Sequence, residues 1–109
     1  MTIIRGIQGA KGTAREHHTP ILNSLIDDRK LSREALSFIA HCMFYWDAEL
    51  DILEMSKRVN QPIEEVNKIM KECVKHGYAC YLKNEKEDEE FIEFVVSDSK
   101  NEIEKLKQS

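Results

Sequence analysis

From residue 20 onward the apolar positions fall at helical spacing. Pro20 permits a helical start, and Ile21, Leu22, Leu25 and Ile26 predict a short first helix that ends at the charged Asp27-Asp28-Arg29-Lys30. Ser32 is a good N-cap with Arg33-Glu34 behind it, and Leu36, Ile39, Ala40, Met43 and Phe44 predict a second helix of about three turns, closing at Tyr45-Trp46-Asp47. Leu50, Ile52, Leu53, Met55, Ser56 and Val59 predict a third, short helix. Asn60-Gln61-Pro62 breaks it, because Asn tolerates the left-handed backbone and Pro favours a new first turn. Ile63, Val66, Ile69, Met70, Cys73 and Val74 then form one apolar stripe of a fourth helix that Gly77 stops.

The period changes after Gly77. Residues 78–82 and 91–96 have the aromatic and β-branched content of strands, and the polar residues 83–90 separate them, which predicts a hairpin. Ser97-Asp98-Ser99 can cap a tail helix carrying Ile103 and Leu106, too short to be stable unless it docks. Two helices joined by a three-residue turn, with small Ser56 at their approach, have the layout of a helix-turn-helix, and the hairpin stands where a wing would. The expected fold is therefore mainly α with a small β-hairpin, a winged helix-turn-helix over residues 20–97. Residues 1–19 hold three of the four glycines and read as a flexible or extended arm, with Ile3, Ile4 and Ile7 available for a short strand. Residues 98–109 form a short helix or tail.

Length and composition narrow the function classes. A chain of 109 residues is the size of one domain, and 41% hydrophobic with 33% charged residues suits a folded, well-solvated protein. No apolar run reaches the roughly 18 residues of a membrane span and residues 1–12 lack a secretory signal, so a cytoplasmic location is expected. Cys42, Cys73 and Cys80 are odd in number and read as small buried hydrophobes. The net charge of −4 is local in origin: residues 85–93 hold six acids against Lys86, and the rest of the chain is close to neutral.

Residues 21–82 resemble the winged-helix domains of phage and plasmid replication initiators and replisome organisers, including the DnaD-like group. The resemblance lies in Pro20-Ile21-Leu22-Asn23, in Asp27-Asp28-Arg29-Lys30-Leu31-Ser32-Arg33-Glu34-Ala35, and in the helix from Val66 to Lys75 running into His76-Gly77-Tyr78. It implies a recognition helix that closes in a Gly-Tyr step into the wing, and double-stranded DNA as partner in replication initiation or its regulation. Two features depart from that pattern: Phe44-Tyr45-Trp46-Asp47-Ala48 lacks the family's turn proline, and the wing is acidic.

With the apolar stripe inward, Glu64, Glu65, Asn67, Lys68, Lys71, Glu72 and Lys75 face outward. Asn67 and Gln61 carry amides that can address adenine, and Glu64 can accept from cytosine. Lys68, Lys71 and Lys75 suit phosphates, with Arg58 ending the preceding helix, and Arg5, Lys11 and Arg15 supply an arm for the backbone or minor groove. The same residues also fit an ordinary solvated helix face with Glu–Lys pairs. The acids Glu85, Glu87, Asp88, Glu89 and Glu90 would repel phosphates, which favours either a tip held away from DNA or an alternative function: an adaptor or inhibitor meeting a protein through a DNA-like acidic wing.

Cys73, His76 and Cys80, with His41-Cys42 for a fourth ligand, are a candidate zinc set, and His17-His18 a candidate surface metal site. The alternation of Cys80 and the stripe position of Cys73 argue against convergence, so no metal and no cofactor are expected. No phosphate loop, nucleophile elbow or enclosed acid pair is present in the sequence, so a binding protein is expected rather than an enzyme. The Ile103/Leu106 tail or the Ile3/Ile4/Ile7 arm would let two copies pair as a homodimer.

Overall fold

The computed structural model describes residues 2–10, 19–45, 48–86 and 89–108. Among these, five helices and a four-stranded sheet follow one another in the order β1 (Thr2–Ile7), α1 (Asn23–Ile26), α2 (Arg33–Phe44), β2 (Leu50–Asp51), α3 (Ile52–Val59), α4 (Ile63–Lys75), β3 (Ala79–Lys86), β4 (Glu89–Ser97) and α5 (Lys100–Gln108). The fold is mixed α+β, which corrects the expectation of a mainly α protein with an isolated hairpin. The reason is β1, which joins the sheet instead of hanging free.

The sheet order is β2-β1-β4-β3. β3 and β4 form the antiparallel hairpin, with Ala79 opposite Val96 at its base and Lys86 opposite Glu89 near its tip. β1 lies parallel to β4, from Thr2 beside Ile92 to Ile7 beside Ser97, and pairs antiparallel with the two-residue β2 on its other edge. Alternation along these strands sorts side chains between two faces. Ile4, Ala79, Phe94 and Val96 join Leu25, Phe38, Ile39, Met43, Met55, Val66, Met70 and Cys73 in the main core under α2, α3 and α4. Phe38 and Phe94 meet edge to face at its centre, with centroids 6.2 Å apart. Cys80 and Val95 point the other way and are covered by Ile103 of α5, with Ile7, Leu82 and Leu106 around them. Ile4 and Ile103, offered by the sequence as seams for a second copy, are thus buried within the same chain.

Local chemistry sets the helix limits. Ser32 caps α2, its hydroxyl accepting from the Ala35 N–H at 3.1 Å. Asp51 caps α3, accepting from the Glu54 N–H at 2.8 Å. At the far end of α3, Asn60 adopts the left-handed conformation (φ 54°, ψ 48°). There Gln61 N–H bonds the Ser56 carbonyl at 3.1 Å and Asn60 N–H that of Lys57 at 3.3 Å. This is the six-to-one and five-to-two pattern that closes helices on an αL residue. α4 ends the same way, with Gly77 at φ +87°. Tyr78 N–H reaches the Cys73 carbonyl at 2.9 Å and Gly77 N–H that of Val74 at 3.1 Å.

α1 is only four residues long, because the chain before it is held differently. The buried Asp98 accepts the Leu22 N–H at 2.9 Å and the Gly9 N–H at 2.6 Å, so it ties both flanks of residues 11–18 to the end of β4 instead of capping α5. Beneath β1, Gly6 lies against the last turn of α2, where an added Cβ would meet the Cys42 carbonyl.

Candidate nucleic-acid interface

The exposed side of α4 is built by its own periodicity. At about 100° per residue the buried Val66, Ile69, Met70 and Cys73 define one side of the helix. Glu64, Lys68, Lys71 and Lys75 fall diametrically opposite and form one outward row, all exposed. Asn67, also exposed, flanks the row on one side, and Glu65 and Glu72 flank it on the other. Lys68 meets Glu65 at 3.3 Å, yet its side chain stays 74% exposed, so the pair is a weak surface contact worth a few tenths of a kcal/mol to about 1 kcal/mol and leaves the ammonium available.

Glu72 is not a surface group in the sense its position in the sequence suggests. Its carboxylate accepts from the Ser32 N–H at 2.8 Å and from the Ser32 hydroxyl at 2.7 Å, which clamps the start of α2 to the last turn of α4. Beside this clamp an open polar groove runs between the two helices, lined by Ser32, Glu34, Gln61, Glu65, Lys68 and Glu72.

The turn before α4 is closed by hydrogen bonds. The Ser56 hydroxyl donates to the Gln61 carbonyl at 2.5 Å, across the turn from the two backbone bonds that close α3. Gln61 itself is exposed at the lip of the groove. Arg58 is exposed on α3 but positioned: its guanidinium lies 4.7 Å over the Tyr45 ring and donates to the Tyr45 hydroxyl at 3.1 Å. Phe44, 53% exposed, meets Tyr45 edge to face at 4.6 Å, so an aromatic pair and one arginine share this end of α2. Tyr45 and Arg58 are thirteen positions apart in the sequence, which gives no local signal for this pairing.

Other residues singled out in the sequence are not brought to this surface. Arg5 lies on β1, and its side chain points to the α5 side of the sheet, where it pairs with Glu93 of the neighbouring strand. It therefore sits across the sheet from α4 and not on an arm beside it. Lys11, Arg15, His17, His18, Trp46, Glu87 and Asp88 lie outside the described residues. Glu85, Glu89 and Glu90 are placed by their backbones, at the end of the hairpin away from α4's C-terminus. Because the polar residues 83–86 and 89–90 continue both strands, the hairpin is longer than its apolar positions predicted.

The cysteines divide between the two layers. Cys42 and Cys73 are buried in the main core, and Cys80 is buried on the opposite face of the sheet. Burial raises all three thiols above their ordinary pKa, Cys73 to about 12. Among the described residues no three metal-ligating side chains converge. No helix among them is long and apolar enough to cross a membrane.

Comparison with family models, with curated proteins and with solved structures finds no match to this chain.

Proposed function

We propose that this chain is a winged-helix protein that binds double-stranded DNA through the exposed row of α4. In this reading α2, α3 and α4 are the three helices of the fold, β2 is its short first strand, and β3 and β4 are the wing, with β1 added beside β4. The observation that carries it is the single outward row of Lys68, Lys71 and Lys75 on a helix fixed by a hydrogen-bonded turn. Three ammonium groups at that spacing suit successive phosphates, and Asn67 and Gln61 flank them as candidates for base edges. Arg58, held by Tyr45, extends the cationic side at the end of α3. Glu64 at the start of the row would face cytosine amino groups if the helix enters a major groove.

A role in phage or plasmid replication initiation or its regulation rests on the resemblance of residues 21–82 to replication initiators and replisome organisers. The protein acts by binding, in the cytoplasm, and performs no chemistry of its own. The acid-rich hairpin end supports a second reading, an adaptor or inhibitor that meets a basic protein partner there.

A salt series separates the two. Duplex binding followed by fluorescence anisotropy weakens steeply with salt, by roughly one unit of log–log slope for each phosphate neutralised. Lys68→Ala with Lys71→Ala lowers that slope by about two. If the folded protein retains no duplex at 50 mM salt, the DNA reading is overturned and the protein-partner reading takes its place.

A further inference from the structure

The turn between α1 and α2 is pinned along the C-terminal half of α4 at two points. At one end Ser32 is held by Glu72 through the two bonds described above. At the other, Asp28 accepts from the Tyr78 hydroxyl at 2.6 Å and lies 3.7 Å from the Lys100 ammonium, whose stem passes 3.8 Å from the site of a Cβ on Gly77. Asp28 also accepts the Lys30 N–H at 3.0 Å. The carboxylates of Asp28 and Glu72 are thus spent on internal bonds. What the turn presents to solvent between its pins is Arg29 and Lys30, both exposed, against the exposed Asp27 just before them.

Geometry places these cations beside the lysine row. Glu72 lies on the flank of α4 next to Lys68 and Lys75, so a turn fastened to Glu72 and Tyr78 passes along that flank. The same pins fix the turn at the base of the hairpin. The acid-rich end lies seven residues further along β3, about 23 Å of strand away. That is more than two screening lengths of roughly 8 Å at physiological salt, so the acids there scarcely offset the cations at the base.

We propose that Arg29 and Lys30, with Lys75 and Lys100 beside them, are a second phosphate-contacting element, so that a DNA backbone follows the α4 row onto the α1–α2 turn and not across the hairpin. This rests on the DNA reading of α4 and extends it to residues that reading does not use. A duplex laid this way meets cations from two elements and leaves the acidic hairpin end in solvent, which reconciles a net negative chain with a polyanionic partner.

The test is a salt series on a duplex of 20 to 30 base pairs (about two to three helical turns), with the full chain and three double variants. Arg29→Ala with Lys30→Ala should lower the log–log slope by about two, like Lys68→Ala with Lys71→Ala. Lys105→Ala with Lys107→Ala removes the same charge from α5, on the opposite face of the sheet, and should leave the slope unchanged. Circular dichroism and thermal melting check that each variant is folded; all six side chains are exposed. If the turn variant behaves like the α5 variant while the α4 variant loses slope, the proposal is overturned and the α4 reading stands. If the wild-type chain holds no duplex, both fall.

Discussion

Gly6→Ala isolates the contact that makes this a mixed sheet. Gly6 is not among the residues with positive φ, so an alanine there meets no backbone penalty. By restricting the unfolded chain it would, on its own, stabilise the protein by roughly 0.4–1 kcal/mol. The opposing effect is steric. The new Cβ would stand well inside contact distance of the Cys42 carbonyl oxygen, and 3.2 Å from both the Cys42 carbonyl carbon and the Met43 methyl. A methionine methyl can turn away, whereas a helix carbonyl cannot, so either β1 retreats or α2 shifts. Overpacking of this kind costs about 1–3 kcal/mol, and a backbone obstacle puts it at the upper end. The net loss should be about 2 kcal/mol out of a total stability of roughly 5–15 kcal/mol. For a chain of this length that lowers Tm by on the order of 10 °C. Urea and thermal denaturation followed by circular dichroism read it directly. Trimming Met43 to Ala in the same molecule should bring no rescue, since the carbonyl remains. An unchanged or raised Tm for Gly6→Ala would refute the placement of β1 against α2.

Two further outcomes follow from titratable groups. The Tyr78 hydroxyl, and after it the Lys30 N–H, hold the Asp28 carboxyl below its ordinary value, with Lys100 adding to the effect and partial burial opposing it. In acid the unfolded chain therefore takes up this proton first, so the contribution is complete above the usual Asp pKa of about 4 and is lost as pH falls through the depressed value. Tyr78→Phe should flatten this acid limb of the urea midpoint measured from pH 6 downward, and an unaltered limb would contradict the pairing. Burial holds Cys42 high and Cys73 at about 12, so neither is a thiolate at pH 8. Ellman's reagent should consume both only as fast as the native protein opens, accelerating with urea, and a rapid two-thiol burst without denaturant would argue against the core.

The helices were legible because each carries its own signals. Ser32, Asn60, Pro62 and Gly77 mark boundaries within a few residues of themselves, and each stands at or beside a helix end in the structure. What was hidden depends on distant partners. The sequence offers Ile3, Ile4 and Ile7 for a short strand within an arm but not its place in the sheet, since Gly6 is there to let α2 approach and the pairing strand lies some ninety residues away. β2 is two residues long and has no pattern to detect. The outer hairpin escaped notice because residues 83–90 are polar and carry no apolar alternation to mark a strand. At the candidate interface, the outward lysines followed from the 3.6-residue period alone. The roles of Glu72, Tyr45 and Asp28 did not, since Ser32, Arg58 and Tyr78 meet them only after the helices have packed.

The parallel ladder between β1 and β4 also governs the order in which the molecule can be assembled. Closing a loop of about ninety residues costs on the order of 4 kcal/mol before any contact in the ladder compensates for it. The three-helix portion and the hairpin, by contrast, consist of near neighbours in sequence and can form early. During synthesis the segment 2–7 therefore waits, with Ile3, Ile4 and Ile7 exposed, until residues 92–97 have left the ribosome. From then until β1 docks, the edge of β4 away from β3 is an open template on which another chain's β1 would fit as well as its own.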